Sequence, residues 1–308
     1  MRGRSKETNA MPPGGRRALW LSLAAAGSVA ACGDAFVQTT ESYNPALGEL
    51  GAMDLYRPVG ATPRPAVLLI HGGGWTSGDK GDLSEEAARL AASGFVVANI
   101  NYRLSPQVTF PVPIQDVWCA LADLRAHASA RGIDPTRIAL LGYSAGAYLA
   151  DMVGLAPAEI AQDPECPSGI TTAPAAIIAG DGPANLFTLP SLGDGEVADF
   201  VGASKTANPG LYTSVSPLNH VGPGTPPFLL IHGTFDLFVD WHQSQQLHDA
   251  LAAQGDPVAL LLIQGGGHVL NTGADLGALD YIDETIDTPI GWTALMEFLV
   301  SKLGAPPP

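Results

Sequence analysis

Basic residues are scarce in this 308-residue chain: 15 Lys and Arg stand against 30 Asp and Glu, a formal net charge of −15. Five of the basic residues (Arg2, Arg4, Lys6, Arg16 and Arg17) fall before Cys32, together with one acid, Glu7, so the remainder is more acidic still. Such a surface repels phosphate backbones and anionic lipid, and nucleic acid is therefore not an expected partner. Charge of either sign is sparse, at 15% of residues, whereas Gly (36) and Pro (26) are abundant. That balance describes a loop-rich globular protein rather than a helical bundle, and no internal repeat suggests a solenoid. The 46% hydrophobic content supplies one sizeable core and argues against disorder. No His, Asp or Glu cluster has metal-ligand spacing (His242 and His248 are six apart), so no metal is expected.

Near the N-terminus, Arg16 and Arg17 precede an uncharged run, Ala18 to Ala31, that ends in small residues. It is too short to span a bilayer comfortably and has the layout of a signal peptide. Val29-Ala30-Ala31-Cys32 resembles a bacterial lipobox, which implies cleavage before Cys32, lipid on its thiol and a chain tethered to a membrane face rather than crossing it. Ordinary secretion is the alternative, and translation from Met11 instead of Met1 is compatible with either. The resulting division is a signal peptide over residues 1–31, a tether over 32–49 and a catalytic domain over 50–308.

Beyond the tether, short continuous apolar runs predict strands buried on both faces: Ala66 to Ile70, Phe95 to Ile100, Ile138 to Leu141, Ala175 to Ala179, Phe228 to His232 and Val258 to Ile263. A further edge strand is predicted from Leu50 to Tyr56. Helical patterns lie between most of these, notably Glu85 to Ser93, Ile114 to Arg131 and Ala145 to Leu155. Strands alternating with helices predict an α/β fold, a doubly wound, mostly parallel sheet with helices on both faces. Residues 181–220, rich in Gly, Pro, Ser and Asp, are expected to form loops and short helices over the C-terminal edge of the sheet.

The chemistry sits at the strand ends. Gly142-Tyr143-Ser144-Ala145-Gly146 fits G-x-S-x-G between a strand and a helix, the sharp turn that raises a serine hydroxyl at a helix N-terminus. The N–H of Ala145 is then placed to meet an oxyanion. His71-Gly72-Gly73-Gly74-Trp75 follows the first buried strand, and its glycines let backbone N–H groups approach a substrate unobstructed. In chain order a serine, an acid and a histidine are expected: Asp236 lies just past one strand end and His268 just past the next, with Asp240 as a rival acid. His71 is read as a brace for the glycine loop. His127, His242 and His248 are read as solvated helix residues, and His220 as a weak rival base.

Taken together, His71–Trp75, Asn101-Tyr102-Arg103-Leu104, Gly132-Ile133-Asp134-Pro135, Gly142–Gly146, Pro226–Gly233 and Gly266-Gly267-His268 resemble the α/β-hydrolase esterases related to hormone-sensitive lipase, in particular the feruloyl-esterase-like and xylan-acetylesterase-like bacterial branch. The likeness covers residues 50–303. It implies Ser144, Asp236 and His268 as a catalytic triad, Gly73, Gly74 and Ala145 as oxyanion donors, and no cofactor. The chain departs from the family at Asp240, where proline is expected, and at Val269, where glycine is common. The larger relatives carry an N-terminal helical cap. Only a tether precedes residue 50 here, so an open site is expected.

The reaction so implied is hydrolysis of short-acyl or glycan-linked esters through an acyl-enzyme. The alternatives are an arylformamidase-like amide hydrolase, which shares the HGG-x-W loop, and a non-catalytic surface lipoprotein on the same scaffold. Cys119 and Cys166 remain after Cys32. Right-handed crossovers place the helices before and after the nucleophile strand on one face, so the two cysteines could pair in an oxidising compartment; two buried free thiols are the alternative.

Overall fold

Eight strands form one sheet in the order β1-β2-β4-β3-β5-β6-β7-β8. The structure, a computed structural model, describes residues 35–156, 163, 166–169, 171–189, 194–268 and 289–307. The signal segment, Cys32, Met11 and Val269 lie outside these. The strands are β1 (Phe36–Ser42), β2 (Ala52–Pro58), β3 (Arg64–Ile70), β4 (Val96–Ile100), β5 (Ile133–Tyr143), β6 (Ala176–Gly180), β7 (Phe228–Gly233) and β8 (Val258–Ile263). Only β1–β2 and β2–β4 pair antiparallel; the remaining pairs are parallel.

The predicted tether requires correction. Residues 36–42 form an edge strand, and Pro45–Gly51 forms a 3₁₀ turn; both belong to the compact unit Ala35–Pro308. The edge strand Phe-Val-Gln-Thr-Thr-Glu-Ser is only half-buried. It is held by the ladder to β2 from Phe36↔Pro58 to Ser42↔Ala52 rather than by an apolar stripe.

The apolar runs behave as double-sided strands. Alternate residues of β3 face opposite ways: Leu68 and Ile70 join one core, Val67 and Leu69 the other. The first core lies under α2 (Val112–Ala126), α4 (Ala145–Leu155) and the helix His242–Gln254. The second lies under α1 (Ser84–Ala92) and the helix Pro289–Leu303. The predicted helix over 114–131 is interrupted at His127, with one further turn, α3, at Ala128–Arg131. Gly132 caps that turn in the left-handed region, and β5 opens at Ile133, ahead of the predicted Ile138, with its register to β3 shifting between Arg64 and Ala66.

Because α2 and α4 share a face, the two cysteines meet. Cys119 on α2 and Cys166 form a disulfide with a Cα–Cα distance of 5.6 Å. Among the described residues no helix is long and apolar enough to cross a membrane.

Candidate active site

The turn from β5 into α4 is tight enough that Ser144 takes φ 52°, ψ −117°, a backbone region that costs a non-glycine residue roughly 1–3 kcal/mol. Its surroundings enforce it. A Cβ on Gly142 would lie 2.2 Å from the Gly146 carbonyl oxygen, and one on Gly146 2.2 Å from that of Ile70. Both positions must be glycine for β3, β5 and α4 to meet there. The Ser144 N–H donates to the Gly180 carbonyl at 2.8 Å, which fixes the turn to β6 and leaves Ala145 N–H as the donor beside the hydroxyl.

The glycine loop passes directly over this turn: a Cβ on Gly72 would sit 3.3 Å from Ser144 Cβ. Gly73 and Gly74 have φ of 98° and 58°, and a Cβ on Gly73 would strike the Ser77 carbonyl at 2.2 Å. Among the described residues neither of their N–H groups makes a backbone hydrogen bond, so both remain available to an anion. Flanking residues hold the loop. His71 stacks on Tyr102 at 4.3 Å and donates through Nδ1 to the Gly72 carbonyl, the bracing role expected of it. Tyr102 donates to the His71 and Gly72 carbonyls. Trp75 is buried, stacked on Phe200 at 4.5 Å and edge-on to Tyr148.

Base and acid arrive from neighbouring strand ends. His268 Nε2 lies 2.8 Å from Ser144 Oγ, and Nδ1 lies 2.6 Å from Asp236 Oδ2. The loops carrying them pack backbone to backbone, since a Cβ on Gly233 would lie 2.3 Å from the Gly266 carbonyl, and Phe235 N–H donates to that same carbonyl. Asp236 Oδ1 accepts from the N–H groups of Phe238 and Val239 at 2.8 and 2.9 Å. Burial works against its charge, but hydrogen bonds from His232 and His268 outweigh that and hold its carboxyl far below the usual range. Asp240, the rival acid, is exposed and bonds His242 instead.

Two further residues belong to the site. His232, the penultimate residue of β7, is fully buried. Its Nε2 donates to Asp236 Oδ2 at 3.1 Å and to the Val239 carbonyl at 2.9 Å, and Nδ1 meets Ser244 Oγ at 2.7 Å. Desolvation opposes its protonation, yet Asp236 and the charge of Asp181 more than compensate, and its pKa lies above the ordinary imidazole value. Asp181, just past β6, has φ 51° and accepts from Gly233 N–H at 2.9 Å, pinning the strand that carries His232. An apolar run ending in His reads as a strand, and that reading hid the imidazole's second role. The position of each at a strand's C-terminal end was the available signal.

Asp181, His232 and Asp236 offer ligand atoms within 4.8 Å of one another. The geometry is that of a hydrogen-bonded relay, because Asp236 Oδ2 already accepts from both imidazoles.

Over the loop lies the helix Asp194–Val201. Phe200 forms part of the Trp75 cluster, and the Glu196 carboxylate covers Gly74, where a Cβ would come within 2.7 Å of it. The expected open site therefore has a short cover, and it comes from residues after β6 rather than from the N-terminus.

A mostly parallel sheet with Ser144 on a strand–helix elbow and Asp236 and His268 at successive strand ends defines an α/β-hydrolase with a Ser-His-Asp triad. The model of the BD-FAE family matches residues 53–251, and the chain belongs to that family. It is 34% identical over 196 residues to the probable carboxylic ester hydrolase LipM of Mycobacterium tuberculosis, covering 61% of this chain and 44% of that protein. It is 31% identical over 219 residues to the esterase LipQ of the same organism, covering 68% and 51%. The chain thus spans about half the length of the curated relatives it matches. Among solved structures it resembles a truncated carbohydrate esterase from gut microbiota (TM-score 0.74, 22% identity, 88% of this chain and 98% of that one). It also resembles the esterase Est2 of Thermogutta terrifontis (TM-score 0.67, 24% identity, 88% and 94%). At these identities the likeness speaks for the fold.

Proposed function

We propose that this protein is a serine esterase that hydrolyses carboxylic esters through an acyl-enzyme on Ser144. The observation that carries this is the continuous relay Ser144 Oγ–His268–Asp236, with contacts of 2.8 and 2.6 Å, beside free N–H groups on the glycine loop. Ser144 Oγ attacks the ester carbonyl as its proton passes to His268 Nε2. The oxyanion is met by the N–H groups of Gly73, Gly74 and Ala145. His268 then gives the proton to the departing alcohol, and water resolves the acyl-enzyme by the same path. Asp236 keeps Nδ1–H of His268 facing itself, and His232 with two backbone N–H groups keeps Asp236 ionised and in place. An assembled triad of this kind disfavours a non-catalytic scaffold.

The substrate class that fits best is a short-acyl or glycan-linked ester. Phe235 and Leu237, on either side of Asp236, expose 63% and 57% of their surface, and Phe238 packs against the His268 ring at 5.5 Å. The acid loop therefore presents an apolar rim beside the triad. The motifs shared with feruloyl-esterase-like and xylan-acetylesterase-like enzymes support the same choice. A series of p-nitrophenyl esters of increasing acyl length tests it: catalytic efficiency should fall from acetate and butyrate toward long chains and vanish in Ser144→Ala. Higher efficiency on long-chain esters would overturn the substrate reading, and activity surviving in Ser144→Ala would overturn the esterase reading.

The same proposal includes export as a lipoprotein tethered through Cys32. The basic-then-apolar leader supports it, and so does the Cys119–Cys166 bridge, a feature of chains that meet an oxidising compartment. Metabolic labelling with a fatty acid should mark the protein and fail to mark Cys32→Ser; equal labelling of both would contradict the anchor.

A further inference from the structure

The helix that covers the glycine loop brings a charge with it. Glu196 lies in Asp194–Val201. Its Cβ, carboxyl carbon and Oε2 all come within 3.4 Å of the point where a Gly74 Cβ would stand, Oε2 nearest at 2.7 Å. The side chain is thus folded across Gly74, one of the oxyanion donors, and only glycine at that position leaves it room. Counted outward from Oε2 through Gly74 Cα and N, an oxygen accepting from the Gly74 N–H would lie no more than about 9 Å away. That is inside the Debye length, about 10 Å at 0.1 M salt.

Nothing offsets the charge. Among the described residues no side chain pairs with Glu196, and Asp199, three residues on, adds a second negative charge beside it. Burial against the loop and that neighbour both push the Glu196 carboxyl above its usual pKa. The rest of its surface faces solvent, where an arriving substrate would meet it. A carboxylate has the wrong sign to help an oxyanion form. Its effect therefore falls on which substrates reach the loop.

We propose that Glu196 is a specificity-determining residue that selects esters by charge, accepting neutral or cationic substrates and rejecting those with a negative charge near the scissile bond. For a glycan-linked ester this means an acylated neutral sugar rather than an acylated uronate. The role presupposes the esterase activity of Ser144 and adds a substrate class that the triad does not set, since Ser144 and His268 meet only the ester group itself. Like any charge effect at this range it should weaken with salt.

Three acetate esters that differ chiefly in the charge of the alcohol test this role: acetylcholine, a permanent cation; its neutral carbon isostere 3,3-dimethylbutyl acetate; and 2-sulfoethyl acetate, a permanent anion. Acid release at constant pH 8 and low ionic strength gives kcat/KM for each. The unsubstituted chain should prefer the cation to the anion. In Glu196→Gln the cation-to-anion ratio should fall about tenfold, because one lost charge acts on the two substrates with opposite sign. Glu196→Asp keeps the charge and should keep most of the ratio. Glu297→Gln removes the same charge from the exposed face of the helix Pro289–Leu303, over the other core, and should leave the ratio within about twofold. Comparison with the neutral ester cancels any change common to all three substrates. An unchanged ratio in Glu196→Gln, or an equal fall in Glu297→Gln, would overturn the proposal and leave the esterase reading standing. Failure of the unsubstituted chain to hydrolyse any of the three esters or p-nitrophenyl acetate would overturn the esterase reading, and this role with it.

Discussion

Asp236 is bound on every side: two backbone N–H groups hold one oxygen, and two imidazoles hold the other. Asp236→Asn should therefore cut kcat on p-nitrophenyl acetate by about 10⁴, by favouring the wrong tautomer of His268, whereas Asp240→Asn should leave kcat within a few-fold. A reversal of the two would reassign the acid. Because its folded pKa is depressed, ionised Asp236 contributes stability above its unfolded pKa near 3.8, and that contribution is lost only as pH falls through the lower folded value. Asp151 on α4 has the opposite sign. It is fully buried, one oxygen has no partner, and burial raises its pKa well above 3.8. Folding then holds a proton that the unfolded chain releases, so this group's contribution is present in full below pH 3.8 and falls as pH rises toward the folded value. The Tm advantage of Asp151→Asn over the unsubstituted protein should therefore grow between pH 5 and pH 8; parallel melting curves would contradict a protonated Asp151. At this scale Ser144, His268 and Asp236 were legible because each stands at a strand end in the required order. His232 was not legible, because a buried histidine inside an apolar run carries no local mark of what its ring nitrogens touch.

Among the elements, the β5–α4 elbow was read most fully, since its glycine spacing is itself the geometry. Gly146→Ala must displace the Ile70 carbonyl, 2.2 Å from the new methyl, and should cost about 1–3 kcal/mol of stability with a loss of turnover greater than tenfold. Gly195→Ala in the covering helix meets nothing within 4 Å and should be neutral or stabilising by up to about 1 kcal/mol. Denaturant midpoints of the two variants check the contrast, and equal destabilisation would remove the steric account of the motif. β1 escaped the sequence reading for the converse reason. An edge strand with one neighbour needs little apolar surface, and the ladder bonds that hold it to β2 are set by backbone rather than by side-chain pattern. The boundaries at His127 and Ile133 were displaced because tertiary packing, and not helix periodicity, decides where α2 hands over to β5.

For the molecule as a whole, the sheet divides two apolar cores and carries its chemistry at the C-terminal ends of its strands. The Cys119–Cys166 bridge closes a 47-residue separation on the α2–α4 face and should contribute roughly 3–5 kcal/mol. Replacing both cysteines by alanine should lower the denaturant midpoint accordingly while leaving kcat unchanged in native buffer, and an unchanged midpoint would show the bridge to be energetically idle. The bridge was foreseeable from the handedness of the crossovers, and residues 181–220 were expected as loops and short helices over this edge of the sheet; that Glu196 and Phe200 would reach the glycine loop was not legible, because residues 194–201 contact it only once the sheet has assembled. The central claim, that Ser144 is a nucleophile activated by His268, is tested most directly by treating the protein with an alkyl fluorophosphonate and mapping the adduct by mass spectrometry. The account predicts one equivalent of label on Ser144, loss of p-nitrophenyl acetate hydrolysis in step with labelling, and no label in Ser144→Ala or at an appreciable rate in His268→Ala. Stoichiometric labelling elsewhere, or full hydrolysis by the Ser144-labelled protein, would contradict it.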